Sequence, residues 1–248
     1  MLIKNDFKKQ YLGSYLGLVW AFVQPLIFML VIWFVFEVGL RTELSNPQTP
    51  FFIWLISAMI PWFFFSSAFT NGTNAIVGNS FLVKKVAFRV SILPIVQLGS
   101  ALIIHGGLVI FLMIVLLFYG MGPSLYWLEY GYYLFSLLFL LLGLSWFTSA
   151  LRVFVKDIGN LVTVLLQIGF WFTPIFWNIE RVPEKYQYII KLNPLYYITN
   201  GYRETFVEHK WFWQSPYEML QFWSIAIVFF IFGAVVFKRL RVHFGDVI

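Results

Sequence analysis

The stretch "QYLGSYLGLVWAFVQPLIFMLVIWFVF", residues 10–36, contains no charged side chain. Three lysines, Lys4, Lys8 and Lys9, precede it. A membrane-crossing helix needs about 20 mainly apolar residues, and this run is longer than that. The run is also too long for the apolar core of a signal peptide and lacks a small-residue cleavage site. It therefore predicts a retained first membrane span.

The composition of the whole chain indicates a membrane protein. Of the 248 residues, 60% are hydrophobic, 22% are aromatic and 11% are charged. An average soluble domain is about 45–50% apolar and about 25% charged, and a soluble fold could not bury so many apolar side chains. The absence of cysteine excludes disulfides and thiolate metal sites.

Charge-free runs predict six membrane spans within a single transmembrane domain, residues 1–248. The predicted spans are residues 18–40, 51–77, 93–119, 130–151, 158–178 and 219–237. Eleven of the 17 cations, but three of the 11 acids, then fall on the side of the N-terminus. Because cytoplasmic loops are enriched in Lys and Arg, both termini are expected in the cytoplasm. The net charge of +6 is thus a topology signal and gives no reason to expect a nucleic-acid partner.

Two segments fit neither a span nor a plain loop. Residues 1–16 predict an amphipathic helix in the membrane interface, because apolar side chains recur every fourth position and charges take the other faces. The apolar positions are Ile3, Phe7 and Tyr11. Residues 179–215 predict two short helices, broken at Asn193 and Pro194, that form a hairpin dipping into the outer leaflet.

The predicted spans are almost bare of ionisable side chains, which are costly in a bilayer and usually functional there. His105 lies well inside a span, where it is either a proton relay or a neutral side chain bonded to a neighbouring helix. Glu37, at the outer end of span one, either lines a pathway or reaches the headgroups. No carboxylate lies near a predicted midplane, which disfavours an ion-coupled carrier.

Carboxylates on the predicted outer side could serve acid–base chemistry instead. Glu180 and Glu184, and likewise Glu204 and Glu208, have the spacing of one helix face, which suits either a catalytic pair or a solvated surface. The motifs HExxH, GxSxG and GxxxxGK[ST] are absent, and no Lys follows a Gly anywhere in the chain. The chain therefore cannot bind ATP through a Walker loop of its own.

Two dense aromatic clusters are "PWFFFSSAF" (residues 61–69) and "FWFTPIFW" (residues 170–177). At the ends of spans they would form interfacial belts or pack in the core. They could equally line a pathway, because aromatic faces suit both lipid and the C–H faces of sugars. The residues alone leave both interpretations open.

Five phrases occur in the order and spacing of one known family. They are "YLGSYLGLVWAFVQPL" (11–26), "IPWFFFSSAF" (60–69), "FLVKKVAFRVSILP" (81–94), "FVKDIGNLVTVLLQIGFWFTPIFW" (154–177) and "KLNPLYYITNGYRETF" (191–206). The sequence resembles the permease subunit of polysaccharide ABC exporters, which move lipid-linked O-antigen or wall teichoic acid across the bacterial plasma membrane. The resemblance covers essentially the whole chain. One departure is Lys156-Asp157, where the family commonly has Arg-Asp, so no bidentate Arg contact is expected there.

The resemblance implies a homodimer of six-span subunits in the bacterial plasma membrane, served by two cytoplasmic ABC ATPase subunits. ATP and Mg would be bound by those ATPases, so this chain is expected to hold no cofactor or metal and to catalyse no reaction itself. Its other partners would be the lipid-linked glycan substrate and membrane lipid. The pathway residues expected from spans one, two and five are Trp20, Phe28, Trp62, Phe170, Trp171 and Trp177.

The resemblance also implies a pair of outer gate helices before span six and a cytoplasmic coupling helix within residues 79–92, between spans two and three. The outer gate residues would be Glu180, Asn193, Pro194, Tyr196, Arg203 and Glu204. The residues expected to couple to the ATPase are Phe7, Lys84, Lys85, Phe88 and Arg89. Topology alone would explain the three cations of the coupling segment. The apolar side chains interleaved with them favour an amphipathic helix held between the bundle and an ATPase groove.

The leading hypothesis is therefore a polysaccharide-exporter permease. A drug or small-lipid exporter of the same superfamily is disfavoured by the short chain, which shows no large outer domain. From another class, a membrane-embedded transferase or ligase acting on lipid-linked sugars would use outer carboxylates such as Glu180 and Glu204. A structural membrane scaffold is the third hypothesis, and it predicts no transport phenotype.

Overall fold

The computed structural model describes residues 2–11, 17–42, 49–84 and 89–247, and within these ranges it is helical and contains no strand. The predicted all-α class is therefore confirmed. The α-helices are α1 (Leu2–Tyr11), α2 (Gly17–Trp33), α3 (Phe51–Asn74), α4 (Ser80–Val83), α5 (Ile92–Phe118), α6 (Glu129–Phe154), α7 (Ile158–Phe172), α8 (Glu184–Lys191), α9 (Pro194–Arg203), α10 (Pro216–Leu240) and α11 (Phe244–Val247).

Five helical segments in the described ranges are long and apolar enough to cross a membrane. They are Gly17–Gly39, Phe51–Asn74, Ile92–Phe118, Leu125–Phe154 and Pro216–His243. The first combines α2 with a π-helical continuation, Phe34–Gly39. These segments correspond to predicted spans one to four and six, so the chain is a multi-pass membrane protein.

The remaining predicted span, residues 158–178, contains a shorter helix. Helix α7 has 15 residues and ends at Phe172, so the prediction that this span continues to residue 178 is wrong for its helical part. The reason is Pro174, which disfavours helical backbone in the preceding residue. Thr173 accordingly has extended backbone, with ψ of 131°.

Helices α6 and α10 cross at very short range because glycines meet there. A Cβ atom added to Gly233 would lie 2.1 Å from the carbonyl oxygen of Gly143. A Cβ on Gly143 would lie 2.6 Å from the Cα of Phe230. Small residues at a helix interface let the two backbones approach, and the resulting close packing is one source of helix association in a lipid environment.

Helix α3 is the centre of the bundle, whereas α2 lies at its edge. Most residues of α3 are buried, and α3 packs against α2, α5, α6, α7 and α9. In α2 Met29 is the one buried residue, although this helix is apolar throughout. The sequence pattern therefore identifies both helices as spans but does not indicate which one forms the core.

Helix α1 packs on α5 through polar and apolar side chains together. Asp6 accepts hydrogen bonds from Gln97 (2.7 Å) and Ser100 (2.7 Å). The Ile3 side chain covers Gly99, where an added Cβ would approach it to 2.6 Å. Asp6 therefore faces α5, and it is an exception to the expectation that the charges of α1 take the faces away from its apolar contact.

The segment between α3 and α5 is described in part. A single-turn helix, Val77–Asn79, leads into α4, which is one turn long, and Phe81 there is 58% exposed. Lys84 and Arg89 are exposed, whereas Lys85 and Phe88 lie outside the described residues. The predicted coupling helix is therefore represented by α4 alone in the described part.

Between α7 and α10 the chain forms α8 and α9, followed by a π-helical segment, Glu204–Glu208. Asn193 separates the two helices, and its side chain accepts the backbone N–H of Leu195 at 3.0 Å as the N-cap of α9. Pro194 is the first residue of α9, a position where its missing N–H costs no hydrogen bond. The depth of this pair in a membrane and its action as a gate stay predictions.

Candidate functional site

An apolar groove of about 430 Å³ lies between α2, α3 and α7. Its lining residues are Phe28, Trp62, Phe63, Ser66, Thr70, Thr163, Leu166, Gln167, Phe170 and Trp171. Four of the six pathway residues expected from the sequence are in this set, drawn from the three expected helices. None of the lining side chains carries a formal charge.

The aromatic rings of this groove are in contact with one another and range from buried to exposed. The Phe170 ring centroid lies 5.7 Å from that of Phe28 and 5.6 Å from that of Trp62. Trp62 is 5% exposed, so it belongs to the protein core, whereas Trp171 is 63% exposed and stands at the open side. The cluster therefore joins the core to an accessible aromatic face.

Hydroxyl and amide groups also line this groove, and sequence reasoning missed them. Ser66 and Thr70 lie one turn apart on α3, and Thr163 and Gln167 lie one turn apart on α7. Side chains four residues apart share a helix face. That spacing was a usable signal, since uncharged hydrogen-bonding groups recur on one face of two otherwise apolar helices.

The other two predicted pathway residues do not line this groove itself. Trp20 lines an adjoining cavity of about 600 Å³ between α2, α3 and α5, which shares Phe63, Ser66 and Thr70 with the groove and also contains polar side chains such as Gln24 and Asn71. Trp177 lies beyond the end of α7, where its indole N–H donates to the carbonyl of Trp171 at 3.2 Å. Trp177 therefore caps the helix that carries the groove aromatics.

Arg203, predicted as a gate residue, is 3% exposed. Its guanidinium donates to the carbonyl oxygens of Trp54 (3.2 Å), Pro174 (2.8 Å) and Ile175 (2.6 Å). The guanidinium carbon also lies 3.4 Å from the centre of the Trp54 ring. Arg203 thus ties α9 to the start of α3 and to the chain just beyond α7.

Glu204 is buried, so the interpretation of Glu204 and Glu208 as one solvated face is wrong. It accepts hydrogen bonds from Tyr133 (3.2 Å) and Asn200 (3.0 Å) and is 6% exposed. Burial raises the pKa of the Glu204 carboxyl to about 7. Glu208 is exposed and pairs with Lys210 at 2.7 Å. A buried carboxyl with this pKa changes charge near neutral pH.

Glu180 and Glu184 do not share a helix face, and their interpretation as such a pair is wrong. Glu180 lies in a single-turn helix, Ile179–Arg181, and Glu184 begins α8 after Pro183. Glu180 and Glu204 do line one cavity of about 550 Å³, which Tyr196 and Arg203 also line. Within the described residues, no group of three or more acidic or histidine side chains could hold a metal ion.

His105 and Glu37 each have a local partner. The His105 Nε2 and Tyr202 hydroxyl oxygen are 2.9 Å apart, and the imidazole stacks on Phe64 with centroids 4.6 Å apart. This geometry matches the interpretation of His105 as a side chain bonded to a neighbouring helix. Glu37 is exposed and accepts the indole N–H of Trp33 in the preceding turn.

Comparison with known proteins adds independent information. The family model described as ABC-2 type transporter matches residues 1–207. An O-antigen export system permease protein RfbA of Klebsiella pneumoniae is 28% identical over 254 residues, covering 100% of this chain and 93% of that protein. A protein of the same name from Myxococcus xanthus is 27% identical over 248 residues, covering 99% of this chain and 93% of that protein.

Proposed function

Because the chain belongs to the ABC-2 type transporter family, we propose that it is the membrane subunit of a bacterial exporter that moves a lipid-linked polysaccharide. The family makes it a transporter component and implies a partnership with an ABC ATPase. Relatives named for O-antigen export favour an O-antigen as cargo. A teichoic acid is the alternative cargo, because the family that the sequence resembles also exports wall teichoic acid.

The observation that carries this proposal is the chemistry of the groove between α2, α3 and α7. Aromatic faces pack against the C–H faces of sugar rings. Uncharged hydroxyl and amide groups, such as those of Ser66 and Gln167, can exchange hydrogen bonds with sugar hydroxyls as a chain advances. A lining that combines the two groups suits a long polyhydroxylated chain better than a small ion.

The groove is open on one side, and we propose that a second copy of the chain closes it. Helix α7 has two buried residues, Val162 and Leu166, and leaves a broad apolar face exposed. Helix α2 is similarly exposed. A homodimer in which α2 and α7 of two copies face each other would enclose a conduit lined by both aromatic clusters.

In this proposal the six spans are completed by α7 together with the chain that follows it, and both termini face the cytoplasm of a plasma-membrane protein. Two ATPase subunits bind ATP and Mg and press on the cytoplasmic surface near Phe7, Lys84 and Arg89. Lys85 and Phe88 belong to the same proposed contact. The force alters the packing of the two membrane subunits and opens the conduit, while α8 and α9 act as its outer gate.

Deletion of this chain tests the proposal. Surface glycan should disappear while its lipid-linked precursor accumulates inside the cell, and the intact chain should restore export. Export that persists without an ABC ATPase partner would contradict the proposal, as would ATP hydrolysis by the isolated chain.

The second candidate is a transferase or ligase acting on lipid-linked sugars, and it is kept because Glu180 and Glu204 line one cavity. For a catalytic pair, Glu204→Gln and Glu180→Gln would each remove nearly all activity, since neither amide can transfer the proton. A gate would tolerate Gln at both positions and keep most of its export. The product distinguishes the two functions, because a transferase changes the glycan and an exporter changes only its location.

A further inference from the structure

Helix α7 is followed by buried backbone that is not helical. Thr173 and Ile175 are fully buried and Phe176 is 3% exposed, yet this stretch lies outside any helix. Buried carbonyl groups need hydrogen-bond donors, and non-helical backbone at membrane depth is tolerated only where protein supplies them. The break at the end of α7 therefore requires donors from elsewhere in the fold.

Arg203 supplies those donors. Two of its guanidinium nitrogens donate to consecutive carbonyls of the break, Pro174 and Ile175, and the third donates to the carbonyl of Trp54. A planar fork fits two neighbouring acceptors in a way that a lysine ammonium cannot. We call this set of contacts the carbonyl clamp.

The other end of α9 binds the same break. The Asn193 side-chain amide donates to the Thr173 hydroxyl oxygen at 2.8 Å, while its carbonyl oxygen caps α9. Asn193 precedes the first residue of α9, and Arg203 is its last. Helix α9 is therefore fastened to the end of α7 at both of its own ends.

The break is also continuous with the aromatic groove. The Phe176 ring lies 5.3 Å from the Phe170 ring and 5.1 Å from the Trp171 ring, measured between centroids. A displacement of the break would therefore move the side chains that line the groove.

We propose that Asn193 and Arg203 are positioning residues that make α9 and the aromatic end of α7 one rigid unit, so that the gate helix and the groove move together. The inference rests on the proposed function, because it assigns this movement to the export cycle. It predicts that α9 stays on the break throughout that cycle, while the groove itself opens and closes between α2 and α7.

Two cysteine pairs test this in the full chain with its ATPase partner in cells, since the natural sequence has no cysteine. The clamp pair is Thr173→Cys with Asn193→Cys, in which the bridge replaces their hydrogen bond. The groove pair is Phe36→Cys with Phe176→Cys, which joins the continuation of α2 to the break, where the two rings lie 4.8 Å apart and outside the groove lining. Each is bridged by a thiol-specific reagent of matching length, and surface glycan is compared before and after bridging. We expect the bridged clamp pair to keep its export within about two-fold and the bridged groove pair to lose at least about ten-fold.

The two failures are distinguishable. If bridging the clamp pair blocks export, α9 must leave the break during the cycle, and the inference is overturned. If bridging the groove pair leaves export intact, α2 and α7 of one copy do not separate during the cycle, and the inference is overturned, whereas the proposed function stands because its conduit opens between two copies.

Arg203→Lys provides a second test, which measures the coupling of ATP hydrolysis to export rather than the stability of the fold. The variant keeps the positive charge but loses the fork, so the glycan exported per ATP hydrolysed should fall about ten-fold for equal amounts of folded complex. Arg41→Lys, at an exposed arginine on the same predicted side, is the matched control. Equal ratios in the two variants would overturn the inference, and if Arg203→Lys does not fold, the cysteine pairs decide.

Discussion

Helices α6 and α10 and helices α2 and α7 are all apolar, yet they pack in opposite ways. The first pair meets backbone to backbone at Gly143 and Gly233. The second pair leaves most of its side chains exposed, with Val162 and Leu166 the buried residues of α7. Hydrophobicity therefore identifies the membrane spans, but it does not indicate which spans pack tightly, and at α6 and α10 the two glycines allow the close contact.

This difference divides the molecule into a closely packed part and an open part. In a lipid environment apolar side chains gain little by leaving the acyl chains, so close packing and interhelical hydrogen bonds have to supply much of the association energy. An apolar helix that leaves most of its surface exposed therefore has a face on which a second copy can bind. The groove lies in the open part, so the helices that are least tightly packed are also the ones that line the proposed conduit.

The largest expected effect on helix–helix packing comes from Gly233→Val, a change in the closely packed part. The new side chain would collide with the backbone of α6, which cannot rotate away, so we expect a destabilisation of about 3 kcal/mol or more. The measurement is the thermal stability of the purified protein in detergent. The matched control is Gly131→Ala in α6, where nothing lies within 4 Å of an added Cβ, and this variant should be at least as stable as the natural protein.

Glu204→Gln tests the buried carboxyl between α9 and α6. Because its pKa is raised to about 7, the natural protein should lose stability as pH rises from about 4.5 to about 7, on the order of 3 kcal/mol in all. The amide cannot ionise, so the variant should match the natural protein at pH 5 and exceed it at pH 8. Thermal melts at the two pH values check this, with the exposed Glu184→Gln as control. Equal stability of Glu204→Gln and the natural protein at pH 8 would show that the carboxyl is not held as described.

Asp6→Ala tests a third kind of packing, that of α1, which is held on α5 partly by polar contacts. The change leaves the buried Gln97 amide without the Asp6 acceptor and leaves the Ser100 hydroxyl only the longer contact to the Ile3 carbonyl at 3.4 Å, which should cost about 1–3 kcal/mol. A cysteine placed at Ile3 should then react faster with a thiol reagent, because α1 detaches from α5. Lys8→Ala, an exposed change in the same helix, should leave that reaction rate as it was.

The smallest stability effect is expected at Trp171, in the open part. This side chain is 63% exposed, so Trp171→Ala should change the melting temperature little while lowering export at least about ten-fold. Trp62→Ala is the opposite case, because its ring is buried and its loss should cost about 3–5 kcal/mol. Normal export by folded Trp171→Ala would remove this residue from the conduit.

The sequence was sufficient for the features that depend on local pattern. Charge-free runs located the five long spans, and Asn193-Pro194 located the boundary between α8 and α9. Pro174 was visible too, but the length of an apolar run hid the early end of α7. The proline predicted that the helix ends before residue 174, whereas the apolar run predicted a span to residue 178, and the prediction from the proline was correct.

The features that depend on tertiary packing could not be read from spacing. Glu204 and Glu208 look alike in sequence, and only the contact of Glu204 with Tyr133 on α6 separates a buried carboxyl from a solvated one. In the same way, nothing in the sequence says that Arg203 binds carbonyls rather than a carboxylate. The hydroxyl and amide groups of α3 and α7 form an intermediate case, because their one-turn spacing was available but their common groove was not.

The most direct test of the central claim is to trap the glycan in the groove. A photoreactive benzoylphenylalanine is placed at Trp171 in the full chain, and cells that make the glycan are irradiated with the ATPase partner present. The matched control carries it at Phe135, an exposed aromatic position on α6 outside the groove. We expect glycan adducts at Trp171 and none at Phe135. Equal labelling at both positions, or labelling at Phe135 alone, would contradict it.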